Sequence, residues 1–154
     1  MSVMTAINVA KEHSELYKAA IALSAQADAA AKDAGLPAQL IELIKIRTSQ
    51  INGCAFCLRL HTGDALKKGE TSERLAVLPA WRETSYFTEQ EQAALSLSEY
   101  VTGIGDSHAN RPLYEEAVGT LTPQQVSAVT WMTIGINTFN RIAITSSYPV
   151  VPKG

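Results

Sequence analysis

The sequence predicts a single all-α domain over residues 1–154. Three observations predict it. Apolar residues recur at helical spacing, with no strand-like alternation. Thr88-Glu89-Gln90-Glu91 and Thr122-Pro123-Gln124-Gln125 are capping boxes, each followed by an apolar run. Asn52-Gly53 reads as a tight joint between two helices.

Leu16, Ala19, Ala20, Leu23 and Ala27 define a first helix, ending near Ala34 because Gly35 suits the C′ position. Pro37 suits the start of the next helix. There Leu40, Ile41, Leu43, Ile44, Ile46 and Ile51 place apolar groups around much of the circumference, which predicts a central helix. After the Asn52-Gly53 turn, a third helix is expected from about Cys54 to Lys68, stopped by Gly69. Ser72 to about Trp81 reads as a shorter helix limited by Pro79, and the first capping box leads into a helix through Val101. Gly103-Ile104-Gly105-Asp106 breaks it, Pro112 opens a short helix through Val118, and the second capping box begins the longest helix, through about Thr145. The tail from Tyr148 to Gly154, with Pro149 and Pro152, is expected to be extended or loose.

A chain of 154 residues can bury one well-formed core. The net charge of −2 with no basic run excludes a nucleic-acid-binding reading. Val126 to Ile144 is interrupted by Ser127, Thr130, Thr133, Asn137, Asn140 and Arg141, so a membrane span is not expected. Met1-Ser2-Val3-Met4 lacks the basic start and continuous apolar stretch of a signal peptide, so a cytoplasmic location is expected. Only 18% of residues are charged, which points to surface covered by further copies of the chain.

Cys54-Ala55-Phe56-Cys57 holds both cysteines of the chain, and His61 follows the second at i+4. On a helix, Cys54, Cys57 and His61 share one face. A thiolate at a helix N-terminus is favoured by free N–H groups and the helix dipole, and the thiolate is the nucleophile. Glu42 stands among Leu40, Ile41, Leu43 and Ile44. If the second and third helices form an antiparallel hairpin about Asn52-Gly53, Glu42 and His61 each lie about 12–14 Å from the turn and can face each other. A carboxylate orients an imidazole and raises its basicity. Glu42, His61 and Cys57 then form a candidate proton relay, with Cys54 resolving the oxidised product.

Other readings stand beside this one. The cysteines could be small apolar core residues. Cys54, Cys57 and His61 could be zinc ligands, with a fourth from His13, His108 or a carboxylate. A c-type haem site would need His where Leu58 stands, and a thioredoxin-like domain would need strands. Glu42 could be an ion-paired helix residue, with Lys45 or Arg47 as partner. His13 and His108 read as solvated. Asn137, Asn140 and Arg141 share a helical face suited to packing hydrogen bonds, with a pocket lining as the other reading. Trp81 and Trp131 read as core or interface residues.

The pattern of an acid at Glu42, eleven intervening residues, Cys54-x-x-Cys57, then x3 and His61 resembles the core motif of the AhpD-like alkylhydroperoxidases, within the carboxymuconolactone decarboxylase family. The similarity is concentrated in residues 37–85, including Ala80-Trp81-Arg82-Glu83, and extends to Ile136-Asn137 and Asn140-Arg141. It implies an AhpD-like helical subunit with the CxxC at a helix N-terminus, assembled into trimers or hexamers. It also implies a peroxide-reducing dithiol in which Cys57 attacks the peroxide, Cys54 closes the disulfide, and Glu42 and His61 manage protons. A second histidine commonly occupies the place of Phe56. The decarboxylase branch generally lacks the CxxC, which argues against lactone decarboxylation here.

The expected function is thiol-dependent reduction of a hydroperoxide through a reversible Cys54–Cys57 disulfide, regenerated by an external dithiol, with no bound cofactor and no metal. The alternative is a non-enzymatic dithiol redox sensor or adaptor. A helical oligomer whose site has lost activity is a third reading.

Overall fold

A residue sequence apolar on every side of a helix must be surrounded by other helices, and this constraint organises the chain. The computed structural model describes residues 5–154; the expectation drawn from Met1–Met4 falls outside the described residues. Among the described residues eight α-helices follow one another: α1 (Val9–Glu12), α2 (Ser14–Asp33), α3 (Ala38–Asn52), α4 (Ala55–Lys67), α5 (Ser72–Val77), α6 (Glu89–Thr102), α7 (Arg111–Thr120) and α8 (Pro123–Thr145). No strand occurs among the described residues, and no helix there is long and apolar enough to cross a membrane.

Helix α3 occupies the centre, packed against α4, α6 and α8, while α8 also packs on α2 and α6. Leu40, Leu43 and Ile44 are completely buried. Each such side chain contributes about 1.5–3 kcal/mol relative to exposure. Leu78, Leu95, Leu97, Val129 and Met132 close around them in the main core. A second, smaller cluster joins Cys54, Cys57, Ile136 and Ala143, with Phe56, Phe139 and Tyr148 packed against it. The CxxC therefore sits in a satellite core between α4 and α8, bordering the tail.

Both capping boxes form, with reciprocal bonds between Thr88 and Glu91 and between Thr122 and Gln125. Two local expectations shift. Pro37 is the N-cap of α3 rather than its first residue. The Ser72 helix ends at Val77 and tightens into a 3-10 segment, Leu78–Glu83, broken by a non-helical Ala80. Pro79 has no N–H with which to continue the α-helical ladder. Trp81 is core, its indole N–H donating to Glu99 Oε1 at 2.9 Å, whereas Trp131 is 49% exposed.

The joint between α3 and α4 is a Schellman turn. Cys54 N–H donates to Ser49 O at 3.0 Å and Gly53 N–H to Gln50 O at 3.3 Å. Gly53 has φ +70°, the left-handed region. Cys54 thus ends one helix and is the N-cap of the next. Its position is set by backbone geometry before any side chain packs.

Gly53→Ala tests that dependence. An added Cβ meets no atom within 4 Å, so the cost is conformational alone. It should lower stability by about 1–2 kcal/mol, read from urea unfolding. Unchanged stability would show that the left-handed turn does not constrain the joint.

Candidate functional site

The site is assembled from one helical hairpin. Glu42 projects from α3, and His61 and Lys68 come from α4 and its C-cap. Glu42 is 2% exposed. Its Oε2 accepts from His61 Nδ1 at 3.1 Å and its Oε1 accepts from Lys68 Nζ at 2.6 Å. An ionised carboxylate can only accept, so Nδ1 carries the hydrogen and Nε2 of a neutral ring is left as the acceptor. The expected facing of Glu42 and His61 across the hairpin is therefore what the packing delivers.

The expected ion-pair partners of Glu42 are corrected. Lys45 turns instead to Asp28 on α2 at 2.7 Å, and Arg47 to Glu99 on α6 at 2.9 Å. Successive residues of a buried helix face different neighbours, so the same-helix lysine and arginine serve other carboxylates. Lys68 takes the place assigned to them. It lies seven residues after His61, on the same helical face, a signal the sequence did contain.

Cys54 and Cys57 are joined as a disulfide, with Cα atoms 5.3 Å apart. Cys54 Sγ also accepts the Cys57 N–H at 3.3 Å, the N-cap bond of α4. Both residues are buried, at 1% and 3% exposure. A zinc site on Cys54, Cys57 and His61 would need both thiolates free, which this joined state does not offer. His13 and His108 are exposed, as expected. Glu42, His61 and Asp64 bring three donor atoms within 4.8 Å of one another, but both oxygens of Glu42 are already engaged. A cation held there would have to displace the Lys68 ammonium.

Cys57 and His61 line one cavity of about 220 Å3, together with Tyr17, Phe56, Leu60, Ile136, Phe139 and Tyr148. Its wall comes from α2, α3, α4, α8 and the tail, with Lys45 the contribution of α3. Most of these residues carry no local signal, because only tertiary packing brings them together. Phe56 meets Tyr148 edge-on with ring centroids 5.1 Å apart, and Tyr17 meets Phe139 at 6.1 Å. The tail, expected to be extended or loose, has no regular secondary structure beyond Tyr148 but is tied down there: Val151 O accepts from Arg59 at 2.5 Å.

Behind the CxxC turn, Asn52 Nδ2 donates to Asn137 Oδ1 at 2.8 Å and Asn140 Oδ1 at 2.9 Å. Asn140 Nδ2 donates to Ser49 Oγ at 3.0 Å, and Arg141 to Asn137 Oδ1 at 2.8 Å. The polar face of α8 is thus used for packing bonds that fasten the end of α3.

Comparison with known proteins gives the family and the fold. Residues 15–100 match the model of the carboxymuconolactone decarboxylase family, and the chain belongs to that family. It is 44% identical over 103 residues to the uncharacterized protein YdfG of Bacillus subtilis (strain 168), covering 67% of this chain and 70% of that one. A crystal structure from Agrobacterium tumefaciens superposes with a TM-score of 0.84 at 33% identity, covering 97% of this chain and 100% of the other. That protein is described as of unknown function and suggested to be the antioxidant defence protein AhpD. The AhpD-like helical fold is shared.

Burial pushes the Glu42 carboxyl up, but the hydrogen bonds from His61 and Lys68 and the charge of Lys45 outweigh it and lower its pKa from 4.5 to about 2. A depressed folded-state value means the carboxylate adds stability above the unfolded-state pKa and loses it as pH falls through the folded one. The stability difference between wild type and Glu42→Gln should therefore hold from neutrality down to about pH 5 and shrink between 4.5 and about 2. Urea titrations at stepped pH measure it. A difference that stays constant through that window would mean the pairing does not hold the carboxylate ionised.

Proposed function

We propose that the protein reduces hydroperoxides through a reversible Cys54–Cys57 disulfide. The observation that carries this reading is the joined cysteine pair at the N-terminus of α4, with Cys57 and the Glu42-bound His61 lining one mostly apolar cavity. The apolar wall suits the organic part of a hydroperoxide, and the imidazole can exchange a proton beside the sulfur.

In the reduced state His61 Nε2 takes the Cys57 proton while Glu42 holds Nδ1–H and stabilises the imidazolium. The Cys57 thiolate attacks the terminal peroxide oxygen and the O–O bond breaks. The leaving alkoxide takes a proton, giving an alcohol and Cys57 sulfenic acid. Cys54 attacks that sulfur, the S–O bond breaks, and water leaves as the disulfide closes. An external dithiol supplies the two electrons that restore both thiols, itself becoming a disulfide. Lys68 offsets the carboxylate charge, so that Glu42 orients the ring without standing as an uncompensated buried anion.

Single-turnover disulfide formation tests the roles. His61→Ala should slow it by ~100- to 10,000-fold at neutral pH, with part of the loss returning as pH rises and the thiol ionises unaided. Glu42→Gln should act in the same direction, less severely. In Cys54→Ser, limited peroxide should leave sulfenic acid on Cys57. Superimposable pH profiles in folded protein would remove the relay, and sulfenic acid accumulating on Cys54 in Cys57→Ser, with Cys57 inert, would reverse the cysteine roles.

The same reading includes a homo-oligomer built from trimers. On α8, Trp131 and Ile134 remain 49% and 36% exposed, an apolar surface that a second copy would cover. Light scattering should show an oligomer that Trp131→Glu weakens. A stable wild-type monomer at micromolar concentration would refute the assembly.

A further inference from the structure

The two cysteines line different concavities. Cys57 lines the apolar cavity and Cys54 does not. Cys54 lines a separate groove of about 180 Å3 formed by the Gly53–Phe56 turn, the end of α8 and the tail residue Val150, and Cys57 does not. Cavity and groove share Phe56, Ala143 and Tyr148 as common walls. The edge-on contact of Phe56 with Tyr148 therefore stands between them.

We propose that the reducing thiol enters by this groove and attacks Cys54, so that oxidation and reduction of the disulfide use opposite faces of one site. The inference rests on the dithiol reading above and assigns the part of it that reading leaves open. Thiol–disulfide exchange requires direct approach to one sulfur, and the better leaving group favours attack on its partner. Leaving-group chemistry does not select here. Expulsion of Cys57 is helped by His61, and expulsion of Cys54 is helped by the N-cap bond from Cys57 N–H. Both cysteines are almost fully buried, so the shape of the approach decides instead. A donor thiol on a larger carrier reaches the rim of a groove bounded by a turn, a helix end and a tail more readily than a cavity enclosed by five segments.

The steps balance. A donor thiolate forms a bond to Cys54 Sγ as the Cys54–Cys57 bond breaks, and the electron pair leaves on Cys57, beside His61. The donor's second thiolate attacks its own mixed-disulfide sulfur and expels Cys54 as a thiolate at the N-terminus of α4. The donor ends as a disulfide, and both cysteines gain one electron pair between them. Cys57 is thereby released in the ionised form that attacks peroxide.

The test needs no peroxide. The full chain, oxidised with diamide, is pulsed with glutathione as a monothiol probe and quenched with N-ethylmaleimide. Fragment-ion mapping then locates the adduct. Glutathione should sit on Cys54 with maleimide on Cys57; adduct on Cys57, or an even division, overturns the proposal. Val150 lines the groove alone and is 39% exposed. Val150→Trp should slow reduction of the disulfide by dithiothreitol about tenfold while peroxide-driven disulfide formation in reduced protein changes less than about twofold. Reduction at the wild-type rate, or equal slowing of both half-reactions, overturns it as well. Failure of peroxide to oxidise the pair would remove the peroxidase reading and leave this result standing, so the two failures are distinct.

Discussion

The buried carboxylate of Glu42 is the interaction on which the arrangement of the site depends. A lone ionised carboxylate inside an apolar helix would be too costly to keep, and it would neutralise or the helix would turn it outward. Here the second helix of the hairpin and its C-cap supply one imidazole and one cationic donor, each to a different oxygen. Those two bonds fix more than the charge. They specify which face of α4 meets α3, and a helical register error of one residue would rotate His61 and Lys68 away by about 100°. The disulfide lies on the same stretch of α4, so satisfying the carboxylate also sets where Cys57 points relative to the imidazole.

The other end of the hairpin is held by different means. The Schellman turn at Gly53 fixes the backbone, and Asn52, Asn137, Asn140 and Ser49 tie that turn to α8 with side-chain bonds. Asn140 is fully buried, so its amide must find partners, and it finds them only if α3 and α8 meet in one register. A polar network in such a place contributes specificity more than net stability. Cys54 and Cys57 are therefore positioned between two polar fastenings, one on each helix pair. The apolar contacts around them, Ile136 and Phe139 among them, have freedom to line a cavity rather than to hold the hairpin closed.

Much of this was legible in the sequence because it follows from local rules. The capping residues Thr88 and Thr122, the glycine at 53 and the circumferential apolar pattern of α3 each act within a few residues, and each appears where expected. The Glu42–His61 pairing was legible for a related reason: two helices joined by a short turn make spacing from the turn a proxy for height. What was not legible required knowledge of how distant segments meet. Lys68 shares a helical face with His61 in the sequence, but its choice over Lys45 and Arg47 depended on which carboxylates α2 and α6 present, Asp28 and Glu99. The seating of the tail depended on Phe56 and Arg59 offering it an aromatic edge and a donor. Proline 79 was correctly read as a limit, but the 3-10 continuation depends on Trp81 being drawn into the core to reach Glu99.

Phe56 shows how one position can change the division of labour within a shared motif. Where the resemblance to AhpD-like alkylhydroperoxidases implies a second histidine between the cysteines, this chain places a ring that cannot exchange protons. The ring instead packs on Tyr148 and helps to wall the cavity from the groove. Tyr148 does not substitute as a base at neutral pH, since burial and the neighbouring Tyr17 push its phenol upward. Within the turn, the remaining aid to a sulfur anion is the N-terminus of α4, and it acts directly on Cys54. On the proposed peroxidase reading, proton transfer at Cys57 falls to His61, held by a carboxylate whose charge Lys68 already offsets. On that reading a single imidazole would accept the thiol proton before attack and deliver a proton to the leaving oxygen afterwards. That sequence works in one turnover only if the ring stays aligned through both steps, which returns the demand to Glu42 and to the helix register it enforces.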